Sequence, residues 1–600
     1  MKMKAIDQIK EKIEAKLSYV LEAGAGSGKT YALIQTINYI LETKGKEIKL
    51  LNQKIVCITY TNVAKNEIIE RLENNPLVLV STIHEFLWDC IKLFNKQLVN
   101  EFDAMNTIYH ERKPEKHTLG LIDRIKNVEY NDRAYSDFEE GKVGHDDLIV
   151  LAHRMFSNHQ VLTTILASKY PYILVDEYQD TAEETIQCLL DFLLSRNKKK
   201  ALIGFYGDSH QKIYNSGIGS LTTYVDSNII ALITKPENYR SSEGVIQLLN
   251  KIRTNITQSI PDGVEKTKGS IRFINCMNYP EKTKKQGIKA YEDSLIPTKN
   301  DNYDKIISDL EKKGWDFGPG SQDKILIIVN SRVAQRGGFG DLYSIFSRRY
   351  GLGGNDALLK RENPITAFFV GSMDKKTSTE RATGIEHLVS FYEQGSYNDI
   401  VNFLKQNGIQ SLHLKKHSDK KVITDKLEEL ISIRESKTVK EVFDFAIENK
   451  LSMLSTGASK FFDRINTPLE GLDEELKDRI QRDIVFHDSL MALPYIEFIQ
   501  LFKHTQNQNV FSTKHGTKGE EYRNVLVVID DTSWKTQYNF ENYFNDSETI
   551  QERKERTKNL FYVSCSRAKE NLVVLALSSM GDEAMTKVHS WFGENIQLFK

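Results

Sequence analysis

The chain has 600 residues, 40% hydrophobic and 27% charged, enough to bury several cores, so three or four domains are expected. No apolar run approaches membrane-spanning length, and the Lys-rich start lacks the hydrophobic stretch of a secretory signal, which points to a cytosolic protein. A formal net charge of −1 gives no overall basic field, so any hold on nucleic acid must be local; five scattered cysteines without a CxxC pair argue against zinc, an iron–sulfur cluster or a disulfide framework.

Residues 17 to 30 read LSYVLEAGAGSGKT, an apolar strand running into a Gly-rich turn. Such a turn is a phosphate-binding loop: Gly24, Gly26 and Gly28, with Ala25 and Ser27 between them and Ala23 at the first Gly position of the general pattern, let backbone N–H groups face the phosphates. Lys29 is placed to reach the β and γ oxygens, and Thr30 to offer a hydroxyl to magnesium. Helical spacing from Tyr31 to Leu41 adds a helix N-terminus beneath the anion.

Next comes PYILVDEYQDT at 171 to 181, with Ile173 to Val175 reading as a buried parallel strand that ends in Asp176 and Glu177. Ligands in open α/β sheets sit beyond the carboxyl ends of such strands. There Asp176 suits magnesium held through its water shell, and Glu177 suits polarising the water that attacks a γ-phosphate. The basic run Arg196 to Lys200 reads as a solvated loop after a helix.

Further motifs follow in order: TYTNVAKNEIIERL from Thr59, VSTIHEF from Val80, GDSHQKIY from Gly207, NYRSS from Asn238, KHGTKGEEY from Lys514 and LFYVSCSRAKENL from Leu560. With the two phosphate motifs they resemble the UvrD/Rep/PcrA class of superfamily 1 helicases. The resemblance implies an α/β fold with two RecA-like P-loop motor domains, parallel sheets flanked by helices, each motor carrying a mostly helical insertion. The first motor is expected at 1–90 and 160–235 with its insertion at 91–159, and the second at 236–345 and 506–600 with its insertion at 346–505. The second motor would take the strands KILIIVN from Lys324 and NVLVVID from Asn524. The block between is amphipathic and helical by pattern, as in IVNFLKQ and LEELISIRES.

The resemblance also implies roles. Gln8 matches the glutamine that reads adenine, Tyr239 the aromatic that stacks on the base, and Glu521 the acid on the ribose; Tyr31 stands where relatives commonly have Arg. Gln211 matches the γ-phosphate sensor, and Arg240 and Arg567 match arginine fingers, whose permanent planar charge stabilises the transition state. Thr59, Tyr60, Asn62, Ser81, Thr82, His84, Tyr214 and His515 match DNA contacts, mostly short polar groups suited to phosphate and sugar. Relatives follow the IY of GDSHQKIY with Trp-Arg-Gly, whereas this chain reads Asn215, Ser216, Gly217, so a stacking Trp is missing and unwinding is expected to be feeble.

The implied activity is an ATP- and Mg²⁺-dependent 3′ to 5′ translocase or helicase on single-stranded or tailed duplex DNA. The alternative is a nucleotide- or DNA-end-sensing subunit of a nuclease complex, as in Gabija-type antiphage pairs of a UvrD-like protein with a nuclease. The chain ends soon after the last motif, so cleavage is expected from a partner protein. A phosphate-loop kinase unrelated to DNA fits poorly with Gln211 and the two arginine motifs.

Overall fold

The computed structural model describes the chain except residues 1–2, 132–135, 213–216, 284–286, 319, 328–329, 352–353, 360, 362, 374–379, 407–416, 507–510, 513–519 and 533–536. It falls into two compact units, one of residues 1–275, 535–573 and 580–598, the other of residues 276–534, 574–579 and 599–600.

The first unit is built on a six-stranded sheet of β1 (Tyr19–Ala23), β2 (Ile55–Thr59), β3 (Val78–Thr82), β4 (Tyr172–Asp176), β5 (Leu202–Gly207) and β6 (Ala231–Lys235), in the order β3-β2-β4-β5-β1-β6. All its pairs are parallel. β1, β2, β4 and β5 are buried along their whole length, as strands covered on both faces must be. Alternate side chains feed opposite cores. Tyr19, Leu21, Ile55, Cys57 and Leu174 join the helices Ala5–Glu14 and Lys29–Leu50 on one face. Val20, Val56, Ile58, Ile173 and Val175 join the helices Ile83–Ile91, Asn95–Arg112 and His145–Asn158 on the other. Parallel register sets Glu22 opposite Gly207 and Asp176 opposite Tyr206, which brings the loops after β1, β4 and β5 to one edge.

A second six-stranded sheet comprises β7 (Ser270–Cys276), β8 (Lys324–Ile327), β9 (Phe511–Ser512), β10 (Tyr522–Ile529), β11 (Ala568–Ala576) and β12 (Ile596–Phe599), in the order β9-β8-β10-β11-β7-β12. β8 pairs in parallel with both neighbours, and the division between the units runs through β11. KILIIVN contributes the strand Lys324–Ile327, its residues 328 and 329 lying outside the described ones, while NVLVVID begins two residues early, at Tyr522. Residues 334–502 build a helical core of their own around Phe346, Phe369, Leu388 and Phe498. The cysteines Cys57, Cys90, Cys188, Cys276 and Cys565 are free and buried. Among the described residues no helix is long and apolar enough to cross a membrane.

Candidate nucleotide site

β1 delivers the chain into the glycine loop, and the helix Lys29–Leu50 starts directly after it without a side-chain cap. Its first-turn N–H groups are therefore left for an outside acceptor. Gly26 (φ 71°) and Gly28 (φ 76°) adopt left-handed backbone. Close approach forbids side chains as well: a Cβ on Gly24 would lie 2.0 Å from Gln258 Nε2, and one on Gly26 2.7 Å from Arg240 Cβ. The loop is held from outside by Gln258 Nε2 donating to the Ala25 carbonyl (2.8 Å), by the Tyr239 N–H donating to the Gly26 carbonyl (2.8 Å), and by the Ala25 N–H donating to the Tyr562 hydroxyl (3.1 Å). The Ser27 hydroxyl is buried with no partner among the described residues. An orphaned donor, an uncapped helix start and a side-chain-free cradle together fit a phosphate chain.

Lys29 Nζ lies 3.2 Å from Glu177 Oε2, and both side chains are largely buried. Glu177 has φ 51°, a left-handed conformation that costs a non-glycine residue about 1–3 kcal/mol and collects at functional sites. Asp176, 5% exposed, accepts the Glu177 N–H through Oδ1 (3.0 Å). Gln179 Nε2 donates to Glu177 Oε2, and Gln179 Oε1 accepts the Asp208 N–H (3.1 Å). Asp176 and Thr30 supply oxygens, the donor type that magnesium prefers, so the residues fit that ion.

Behind the loop is a polar cluster centred on the buried side chains of Glu22, Asp208 and Arg253. Asp208 Oδ2 accepts Gln211 Nε2 (2.9 Å) and the Tyr562 hydroxyl (3.2 Å). Glu22 Oε1 accepts the Ser209 N–H (2.9 Å) and hydroxyl (2.6 Å), while Glu22 Oε2 accepts the Tyr178 hydroxyl. Arg253, 1% exposed, donates to both carboxylates. Although burial opposes its charge, Asp208, Tyr562 and Glu22 raise its pKa. Burial, reinforced by Arg253 and Lys558 and opposed by Asp208, lowers His210 to about 4.

NYRSS docks beside the loop. Asn238 Oδ1 accepts the N–H groups of Arg240 and Ser241 (both 2.9 Å), and Arg240 Nη1 donates to the Ser566 carbonyl (3.0 Å). That contact sets Arg240 next to Arg567, which is 2% exposed. Tyr239 is 52% exposed, its ring beside Gly28 and under Lys235 Nζ (5.3 Å). Lys29, Glu177, Gln211, Tyr239, Arg240 and Arg567 thus lie in one unit.

Other sequence candidates are placed differently. Gln8 donates to the Met3 carbonyl (3.0 Å), Tyr31 is exposed, and Glu521 is an exposed residue of the second unit just ahead of β10. Thr59 is buried and donates to the Thr61 carbonyl (3.2 Å). Ser81 is buried, and Thr82 and Glu85 form a capping box on the helix Ile83–Ile91. Tyr60 and Asn62 are part-buried at the end of β2. His84 packs on His145 (ring centroids 4.3 Å apart), and burial with that neighbour lowers it to about 4. Tyr214 and His515 lie outside the described residues. Arg196 does more than face solvent, since it donates to the Phe156 (2.7 Å) and Ser157 (2.8 Å) carbonyls. Sequence reasoning missed Glu22, Asp208, Arg253, Gln258 and Tyr562 as site residues; Glu22, Asp208 and Tyr562 stand inside the motifs LSYVLEAGAGSGKT, GDSHQKIY and LFYVSCSRAKENL, whereas Arg253 and Gln258 lie outside every motif.

A buried parallel strand feeding a glycine cradle, with an acid pair at the end of β4, one strand removed in the sheet, and two arginines beside the cradle, defines a phosphate-loop ATPase of the helicase type. The chain is similar to the UvrD/PcrA-like superfamily 1 helicases and is an ATP-hydrolysing enzyme of that type. A family model described as an AAA domain matches residues 5–217. The Gabija protein GajB of Bacillus cereus (strain HuB5-5) is 27% identical over 98% of this chain and 97% of its own length. The ATP-dependent DNA helicase PcrA of Staphylococcus aureus (strain Mu50 / ATCC 700699) is 22% identical over 93% of this chain and 81% of its own. That of Bacillus subtilis (strain 168) is 26% identical over 40% and 38%.

Proposed function

We propose that this enzyme is a 3′ to 5′ translocase on single-stranded DNA, driven by ATP bound at the glycine loop, with feeble unwinding alone. The observation that carries this reading is the Lys29–Glu177 pair at 3.2 Å, set in a loop that Arg240 abuts. The loop N–H groups, the Ser27 hydroxyl and Lys29 bind the phosphates. Gln8, Tyr239 and Glu521 hold base and ribose. Thr30 and Asp176 hold magnesium, which when bound supplies charge neutralisation at the phosphate oxygens. Arrival of the phosphates draws Lys29 toward them and frees Glu177 to take a proton from the attacking water. Gln211 orients the γ-phosphate, and Arg240 and Arg567 stabilise its developing charge. The motors are 1–90 with 160–235 and 236–345 with 506–600. Thr59, Tyr60, Asn62, Ser81, Thr82 and His84 are the contacts proposed for the DNA strand, with the same role proposed for Tyr214 and His515, which lie outside the described residues.

ATP turnover with and without single-stranded DNA, with Lys29→Ala as the blank, tests this reading. Stimulation by DNA is expected, and movement assayed on 3′- and 5′-tailed duplexes sets the polarity. Absence of stimulation by any nucleic acid defeats it. End-to-end alignment with a Gabija protein supports a second role, that of a subunit regulating a partner nuclease in antiphage defence. Co-purification with a nuclease encoded next to this chain would support that role, and rapid solo unwinding of long duplexes would oppose it.

A further inference from the structure

Arg253 follows directly on the helix Glu243–Ile252, outside every motif that the sequence displays. Its guanidinium uses each nitrogen. Nε donates to Asn255 Oδ1 (2.7 Å), Nη1 to Asp208 Oδ1 (2.8 Å) and the Tyr562 hydroxyl (3.3 Å), and Nη2 to Glu22 Oε1 (2.9 Å). Glu22 is the penultimate residue of the strand that feeds the glycine loop, Asp208 follows β5, and Tyr562 stands on the helix Gln551–Cys565 that leads into Arg567. We propose that Arg253 is a positioning residue for hydrolysis, fixing Gln211 and the helix that leads into Arg567 against the phosphate loop through the single carboxylate of Asp208. The proposal rests on the hydrolytic reading of the site.

The geometry assigns each Asp208 oxygen a task. Oδ1 is held by Arg253 and by the His210 N–H (3.1 Å), which together fix the carboxylate plane, and Oδ2 then receives both Gln211 Nε2 (2.9 Å) and the Tyr562 hydroxyl (3.2 Å). The same Tyr562 oxygen accepts the Ala25 N–H of the loop (3.1 Å). Gln179 continues the chain of bonds, from the Asp208 N–H (3.1 Å) to the Glu177 carboxylate. Proton acceptor, sensor and the helix that leads into Arg567 therefore converge on one buried acid. Glu22, Asp208 and His210 are spaced as a metal-ligand set, but Arg253 nitrogens already occupy Glu22 Oε1 and Asp208 Oδ1, so the guanidinium is the cation here. The rigid fork is essential, because a lysine ammonium is a point charge that cannot span two carboxylates and a phenol in fixed planes.

Displacing catalytic groups by about 1 Å can cost about 100-fold in rate. In the full chain, Arg253→Gln is expected to lower kcat for ATP by about 10- to 100-fold while affinity for a nonhydrolysable ATP analogue, measured by calorimetry, stays within about threefold. Arg253→Lys should melt close to wild type yet turn over more slowly, a split that a merely structural role would not produce. A folded Arg253→Gln protein with kcat within about twofold of wild type overturns the proposal, as does a loss confined to nucleotide affinity. Should Arg253→Gln not fold, Tyr562→Phe decides. Its kcat is expected to drop about threefold or more at unchanged melting temperature, and a drop of less than about twofold overturns the proposal. Wild-type turnover no higher than that of Lys29→Ala would fail the hydrolytic reading itself and take this proposal with it.

Discussion

Lys29 and Glu177 neutralise one another at 3.2 Å, and that contact separates two functions one substitution at a time. Lys29→Ala removes the phosphate-binding cation, and turnover is expected to fall by at least about 100-fold with weakened nucleotide binding. Glu177→Gln keeps the shape and loses the proton acceptor, so turnover should fall about 100- to 10,000-fold while nucleotide binding persists; binding measured beside turnover checks the split. His210 makes stability depend on pH. Its folded pKa is lowered to about 4 against an ordinary 6.5, so the unfolded chain binds the proton first. Stability from this group is complete above pH 6.5 and is lost on acidification toward 4, by at most about 1.4 kcal/mol per pH unit. The melting temperature should fall between pH 7 and 5, with a shallower slope for His210→Gln.

Among elements, the capping box at Thr82 raises a question that sequence alone left open, since Thr82 is both a candidate DNA contact and the N-cap of the helix Ile83–Ile91. Aspartate caps as well as threonine, whereas alanine costs about 1 kcal/mol. Thr82→Asp should therefore melt like wild type and, if Thr82 faces the DNA backbone, lose DNA stimulation of turnover through repulsion, while Thr82→Ala should lower the melting temperature. The glycine loop is equally restrictive. Gly26→Ala combines φ 71° with a Cβ 2.7 Å from Arg240 Cβ and is expected to abolish nucleotide binding and lower the melting temperature. The strands bearing the motifs were legible because burial on both faces demands unbroken apolar runs, as at Tyr172–Asp176. Arg253 was not, because its partners Glu22 and Tyr562 lie 231 and 309 residues away and a lone arginine after an amphipathic helix reads as a surface residue. The capping role of Thr82 was hidden for another reason: the same TIHEF letters serve as a helix start and as a family motif.

At the scale of the molecule, the charge balance of −1 means that attraction to DNA must come from local donors, so DNA stimulation of turnover should decline with added salt. Titrating salt at saturating ATP checks this, and a flat response would point to contacts made by stacking alone. All five thiols are sealed inside the folded chain, and burial raises the pKa of each, as at Cys57, Cys90 and Cys565. The native protein should accordingly resist maleimide. Two cysteines engineered at exposed positions, one in each unit, would then be the sole attachment points for a donor and an acceptor dye. Energy transfer between them would follow the spacing of the units, cycle by cycle, without first stripping the molecule of its own sulfur.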